Sequence, residues 1–108
     1  MECKIKEQGE FTVVMLIGEV DLHYSPTARK CILDNLNKNA NVLVDLSQVK
    51  YIDSSGIASL VEGFQMARSK KLQFGLVGVS DAARSVLQLA RLDKVFPIKN
   101  SVNDFISA

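Results

Sequence analysis

The chain has no tryptophan, one histidine, two cysteines, two prolines and no apolar run longer than Val13–Ile17. Each scarcity excludes something. A membrane-spanning helix needs about 20 consecutive apolar residues, so no such span and no direct insertion is expected. Cys3 and Cys31 lie in no CxxC pair, and His23 cannot complete a four-ligand zinc set with them. Free thiols in a chain that needs no staple point to a reducing, cytoplasmic setting. Gly and Pro together make up about 7% of the residues, far below the share that marks low-complexity chains. Charge of one sign is missing too: thirteen Lys and Arg against twelve Asp and Glu leave +1. A nucleic-acid binder needs a cation for each phosphate it neutralises, so that class is set aside. Met1 to Lys6 alternates charged and apolar residues and has no signal-peptide pattern.

What is present is ordinary globular material. A length of 108 residues with 47% hydrophobic and 23% charged positions fits one domain with a core of its own. Neither metal nor disulfide is required, and a monomer is expected.

The apolar pattern alternates between strand and helix periods. Cys3–Lys6 has period two and reads as a half-exposed outer strand, followed by a turn at Gln8-Gly9-Glu10. Phe11–Ile17 is nearly continuous and rich in β-branched residues, which predicts a buried strand. Gly18–Tyr24 shows neither period and reads as a loop. Ser25-Pro26 predicts a helix start, with a hydroxyl cap and a proline where no N–H is needed. Ala28, Cys31, Ile32 and Leu36 form that helix's apolar stripe.

Val42–Leu46 and Leu72–Val77 predict two further buried strands. Between them Ile57, Leu60, Val61 and Phe64 follow helical spacing after Asp53-Ser54-Ser55-Gly56. Ser80-Asp81 opens a third helix with Ala83, Val86, Leu87 and Ala90 inward. Val95–Ile98 reads as a short strand, placed at a sheet edge by Pro97. Ser101–Asp104 resembles a capping box opening a last short helix. The expected fold class is therefore α/β, with a mixed sheet of four or five strands and about four helices packed on it.

The strongest candidate for function is Asp53-Ser54-Ser55-Gly56. One residue is enough to cap a helix, and Asp and Ser are the commonest caps. The second hydroxyl and Gly56, a poor helix former in a first turn, are left over. A serine here also suits a phosphate, whose oxygens can accept from helix N–H groups.

Tyr51-Ile52-Asp53-Ser54-Ser55-Gly56-Ile57-Ala58-Ser59-Leu60 resembles the Asp-Ser-Ser/Thr-Gly signature of STAS-domain anti-sigma-factor antagonists. Gly18-Glu19-Val20-Asp21 is similar to that family's loop after the second strand, and Val42–Ser47 to its third strand. Leu87–Phe96 is similar to its last helix and strand. The resemblance runs over nearly the whole chain and implies a STAS domain spanning residues 1–108. It also implies a partner-switching regulator without catalysis. In that scheme the unphosphorylated form binds an anti-sigma factor with serine-kinase activity and so frees the sigma factor. Phosphate on the first serine after the Asp, here Ser54, blocks binding, and a serine phosphatase reverses it. Gly18, Glu19, Asp21, Asp53, Ser54, Ser55 and Gly56 are the implied partner-binding residues. Asp21 reads either as an ordinary exposed loop carboxylate or as a group offered to a cation on the kinase.

Other readings are weaker. A STAS subunit of a membrane lipid ABC transporter would bind an ATPase subunit and would have no need of a phosphorylatable serine. A hydrolase triad of His23, a serine and an Asp lacks any Gly-x-Ser-x-Gly elbow. Gly75-Leu76-Val77-Gly78 lacks the third glycine and downstream acid of a dinucleotide fingerprint, and small residues packed against a helix explain it better. Ser69-Lys70-Lys71 suits a helix C-terminus, where cations meet the dipole.

Overall fold

A computed structural model describes residues 1–106. Two strands open the chain, β1 (Glu2–Gln8) and β2 (Phe11–Val20), paired as an antiparallel hairpin with Gln8 opposite Phe11. Then follow α1 (Ser25–Asn37), β3 (Asn41–Ile52), α2 (Ser54–Lys70), β4 (Phe74–Val77), α3 (Asp81–Leu89), β5 (Ile98–Lys99) and α4 (Val102–Ile106). The sheet order is β1-β2-β3-β4-β5, and every pair after the hairpin is parallel. The mixed five-stranded sheet with four helices matches the expected class.

Alternation along β3 sorts the core into two faces. Val42, Val44 and Leu46 point into the main cluster with Ile32 and Leu36 of α1, Ile57 and Leu60 of α2, and Ala83 and Leu87 of α3. Leu43 points the other way, to join Phe11 and Val77 under Val102 and Phe105 of α4. Three helices therefore cover one face and the short α4 the other. Gly75 explains how α4 lies down: a Cβ there would stand 2.5 Å from the Phe105 ring. Gly75 thus serves packing against a helix, as expected, while Gly78 turns the chain with φ of 58°.

The structure moves several boundaries. β2 runs to Val20 and takes Gly18, Glu19 and Val20 out of the expected loop, because they pair with Val49, Tyr51 and Ile52. β3 accordingly extends to Ile52, well beyond Leu46. That second half carries register shifts and buries only Val49 and Ile52, so its sequence has no clean period two. β4 begins at Phe74 rather than Leu72, and β5 is Ile98–Lys99 rather than Val95–Ile98. Pro97 cannot donate, yet its carbonyl accepts from Leu76 N–H at 2.9 Å, so the edge placement holds.

The start of α1 is the clearest correction. Ser25 does not cap it; the cap position is Tyr24, with no side-chain bond. Ser25 is buried, and its carbonyl accepts from the Ser59 hydroxyl of α2 at 3.3 Å. The work falls to Asp21, whose carbonyl accepts from Tyr24 and Ser25 N–H at 3.1 and 2.7 Å. The other caps are as expected: Ser80 accepts from Ala83 N–H, and the Ser101 hydroxyl from Asp104 N–H at 3.4 Å.

Candidate functional site

α2 has 17 residues, and most of a helix's stability in a folded protein comes from the packing of its apolar face. Packing of Ile57, Leu60 and Ala67 against the sheet and α1 fixes it, and so fixes where its first turn sits. That turn is pressed onto the end of β2. At Gly56 a Cβ would meet Ile52 Cγ1 at 2.6 Å, the Val20 carbonyl oxygen at 2.8 Å and Val20 Cγ1 at 2.9 Å. Close approach, rather than helix propensity, is what demands glycine here.

Asp53 is the cap, with extended backbone. Its Oδ1 accepts from Ser55 N–H at 2.9 Å, from Gly56 N–H at 3.2 Å and from the Ser55 hydroxyl. Its Oδ2 accepts from Leu22 N–H at 3.1 Å, across 31 positions of sequence. The Ser55 hydroxyl leads in holding the Asp53 carboxyl below its ordinary value; the N–H groups of Gly56, Ser55 and Leu22 add to this, against some loss of hydration.

The two serines therefore differ. The Ser55 hydroxyl is tied to Asp53, whereas Ser54 is exposed and its hydroxyl has no hydrogen-bond partner among the described residues. The family resemblance singles out Ser54, whereas helix position alone left these neighbours alike. It also left free N–H groups for a phosphate at this helix start. The structure narrows the expectation, since those of Ser55 and Gly56 already belong to Asp53, whereas Ser54 N–H has no partner among the described residues.

Of the expected loop, the part from Asp21 onward comes up beside the serines. Residues 21–24 form the loop that remains after β2, and Leu22 N–H brings it onto Asp53. Asp21 is half-buried, and its Oδ1 accepts from His23 and Tyr24 N–H, both at 3.0 Å. It is thus a turn-former as well as an acidic group, not a free carboxylate. Glu19 is exposed on the last turn of β2's pairing, and Gly18 lies further back along the strand with φ of 96°. His23 sets its ring edge-on to Tyr24 at 4.6 Å and makes no hydrogen bond to a serine, so the triad reading has no geometry behind it.

Sequence reasoning missed the apolar rim. Leu22 is 75% exposed and Tyr51 is 51% exposed, flanking the Asp53–Ser54 step in sequence or through the Leu22 bond. A large side chain inside a segment without strand or helix period was the available signal. Among the described residues no group of His, Cys, Asp and Glu is placed to hold a metal, and no helix is long and apolar enough to cross a membrane.

Comparison with known proteins gives the family and supports the fold. The STAS domain family model matches residues 2–105. An anti-sigma-B factor antagonist from Listeria monocytogenes is 28% identical over 102 residues, covering 93% of this chain and 90% of its own. One from Bacillus subtilis is 22% identical over 94 residues, with 87% and 86% covered. A solved anti-sigma factor antagonist from Mycobacterium paratuberculosis superposes with a TM-score of 0.85 at 25% identity, covering 98% and 91%. The unphosphorylated form of SpoIIAA, an anti-sigma factor antagonist, shares the fold with a TM-score of 0.79 at 18% identity, covering 97% and 92%. The chain belongs to the STAS domain family, and the relatives it resembles there are anti-sigma factor antagonists.

Proposed function

We propose that this protein is an anti-sigma factor antagonist switched by phosphorylation of Ser54. Its unphosphorylated form binds an anti-sigma factor with serine-kinase activity and displaces the sigma factor; a serine phosphatase restores it. The observation that carries the reading is the split between the serines: Ser54 exposed and unbonded, Ser55 held by Asp53. A kinase needs a hydroxyl that can turn toward the γ-phosphorus of ATP, and of these two serines Ser54 offers one without breaking a bond. The exposed Leu22 and Tyr51 supply the apolar contact a partner surface uses at its centre.

The phosphoryl group adds about −1.5 to −2 charges. With the N–H groups of Ser55 and Gly56 occupied by Asp53, the dianion faces outward, into the partner's surface. A loss of about 3–4 kcal/mol there lowers affinity several hundredfold, since each 1.4 kcal/mol is tenfold. The domain itself need not refold.

The test is phosphorylation with the kinase and ATP, followed by site mapping by mass spectrometry. Ser54→Ala is expected to take no phosphate and to bind constitutively, Ser54→Asp to bind poorly with a near-normal Tm, and Ser55→Ala to be modified still. Phosphate on Ser55 at the wild-type rate in Ser54→Ala overturns the assignment. Capture of a transporter ATPase in place of a serine kinase overturns the wider reading.

A further inference from the structure

We infer that Asp53 is a positioning residue: its carboxylate clasps the β2–α1 loop to the first turn of α2, so that Asp21 and Leu22 stand beside Ser54 as one surface. The inference deepens the function proposed above and rests on it for its binding readout. The familiar account of such an acid is a cap, or a group touching the partner. The bonds it makes allow neither as the whole role.

Oδ1 is already shared by three donors and Oδ2 takes Leu22 N–H, which leaves the carboxylate little to give a partner. Every other bond of the loop is internal or leads into α1: Asp21 Oδ1 to His23 and Tyr24, and the Asp21 and Tyr24 carbonyls to residues 24, 25, 27 and 28. Among the described residues, the Leu22–Asp53 bond is thus the one hydrogen bond that joins loop 21–24 to residues 53–56. The side chains of Leu22, His23 and Tyr24 are exposed and do not anchor the loop in the core. Two bonds hold its flanks, Asp53 N–H to the Val20 carbonyl at 3.3 Å just before it and the Ser59 hydroxyl to the Ser25 carbonyl at 3.3 Å just after; placement of the loop itself against Ser54 falls to this carboxylate.

The two oxygens do different jobs, and one substitution separates them. Asn caps helices about as well as Asp, so in Asp53→Asn the remaining oxygen serves Ser55 and Gly56. The new amide NH2 then faces Leu22 N–H, donor against donor, and the clasp opens while the helix stays capped. Asp53→Ala removes both.

Hydrogen exchange of the Leu22 amide in the full chain reads the clasp with no partner present. Asp53→Asn is expected to speed exchange at Leu22 at least tenfold, with the α2 amides beyond Ile57 and the Tm close to wild type. Titration against the kinase then reads the consequence, an expected tenfold or greater loss of affinity in Asp53→Asn. Unchanged Leu22 exchange overturns the clasp. Faster exchange with wild-type affinity overturns the positioning role. If the wild-type protein binds no serine kinase at all, the proposed function falls, and Leu22 exchange still decides the clasp on its own.

Discussion

Replacing Gly56 with alanine sets two known effects against each other at the centre of the site. Alanine is the better helix former by about 1 kcal/mol, and in a solvated first turn the change would stabilise α2. Here the new methyl meets three atoms inside contact distance, at 2.6, 2.8 and 2.9 Å. Two belong to side chains; the third is the Val20 carbonyl, which cannot rotate away. It is held by Asp53 N–H at 3.3 Å and by the pairing of Val20 with Ile52. The cheaper relief is for the first turn of α2 to slide outward. Overpacking of this kind costs about 1–3 kcal/mol, and a backbone contact puts it toward the top of that range. The net is a loss of about 1–2 kcal/mol, or about 5–15 °C in Tm for a domain of this size. Thermal melts followed by circular dichroism on wild type and Gly56→Ala read it directly. Because α2 shifts at the Ser54 end, partner binding should weaken as well. A Gly56→Ala protein that melts at or above the wild-type temperature refutes the claim that close approach dictates glycine.

Three further outcomes are expected. Asp53 titrates below its unfolded value, so its bonds stabilise the fold fully above about pH 4 and that contribution disappears as pH falls through the folded value; acid titration of Asp53→Asn should show a shallower loss than wild type. Burial, then the neighbouring Cys31 thiol, pushes Cys3 up to about 12, so at pH 8 it should react with a thiol reagent far more slowly in the native than in the unfolded protein. The same shift keeps the thiol neutral in the fold, and its stabilising share is present below about pH 9 and lost as pH rises toward 12. The Arg29–Glu62 pair between α1 and α2 spans 2.7 Å but is about half exposed, so Glu62→Ala should cost under about 1 kcal/mol in a denaturant melt.

The parts of the fold legible in the sequence are those where one physical signal acts alone. Phe11–Ile17, Val42–Leu46 and the helical spacing of Ile57, Leu60 and Phe64 each bury a continuous or periodic apolar set, and each element lies where that set predicts. The second half of β3 defeats the same reasoning. Ser47, Gln48, Lys50 and Tyr51 are exposed there, register shifts break the alternation, and pairing with β2 holds the strand without a buried face. Gly18–Val20 is lost for the matching reason, since its strand character comes from its neighbour rather than from its own composition.

The site divides along the same line. A cap is a local event, three residues from carboxylate to N–H, and the motif predicts one at Asp53 or a neighbouring serine. What the motif could not carry is the other oxygen, because Leu22 is 31 positions away and no periodicity marks a single backbone N–H. Nor could helix position separate the serines, a choice that rested on the family resemblance; they differ in exposure and in which one the Asp53 carboxylate has already engaged. That engagement shapes any switch at this position. A carboxylate that takes up the N–H groups of Ser55 and Gly56 leaves the Ser54 hydroxyl free and leaves a phosphate fewer N–H groups to shelter it. Most of any charge added at Ser54 then faces the surface that docks on it.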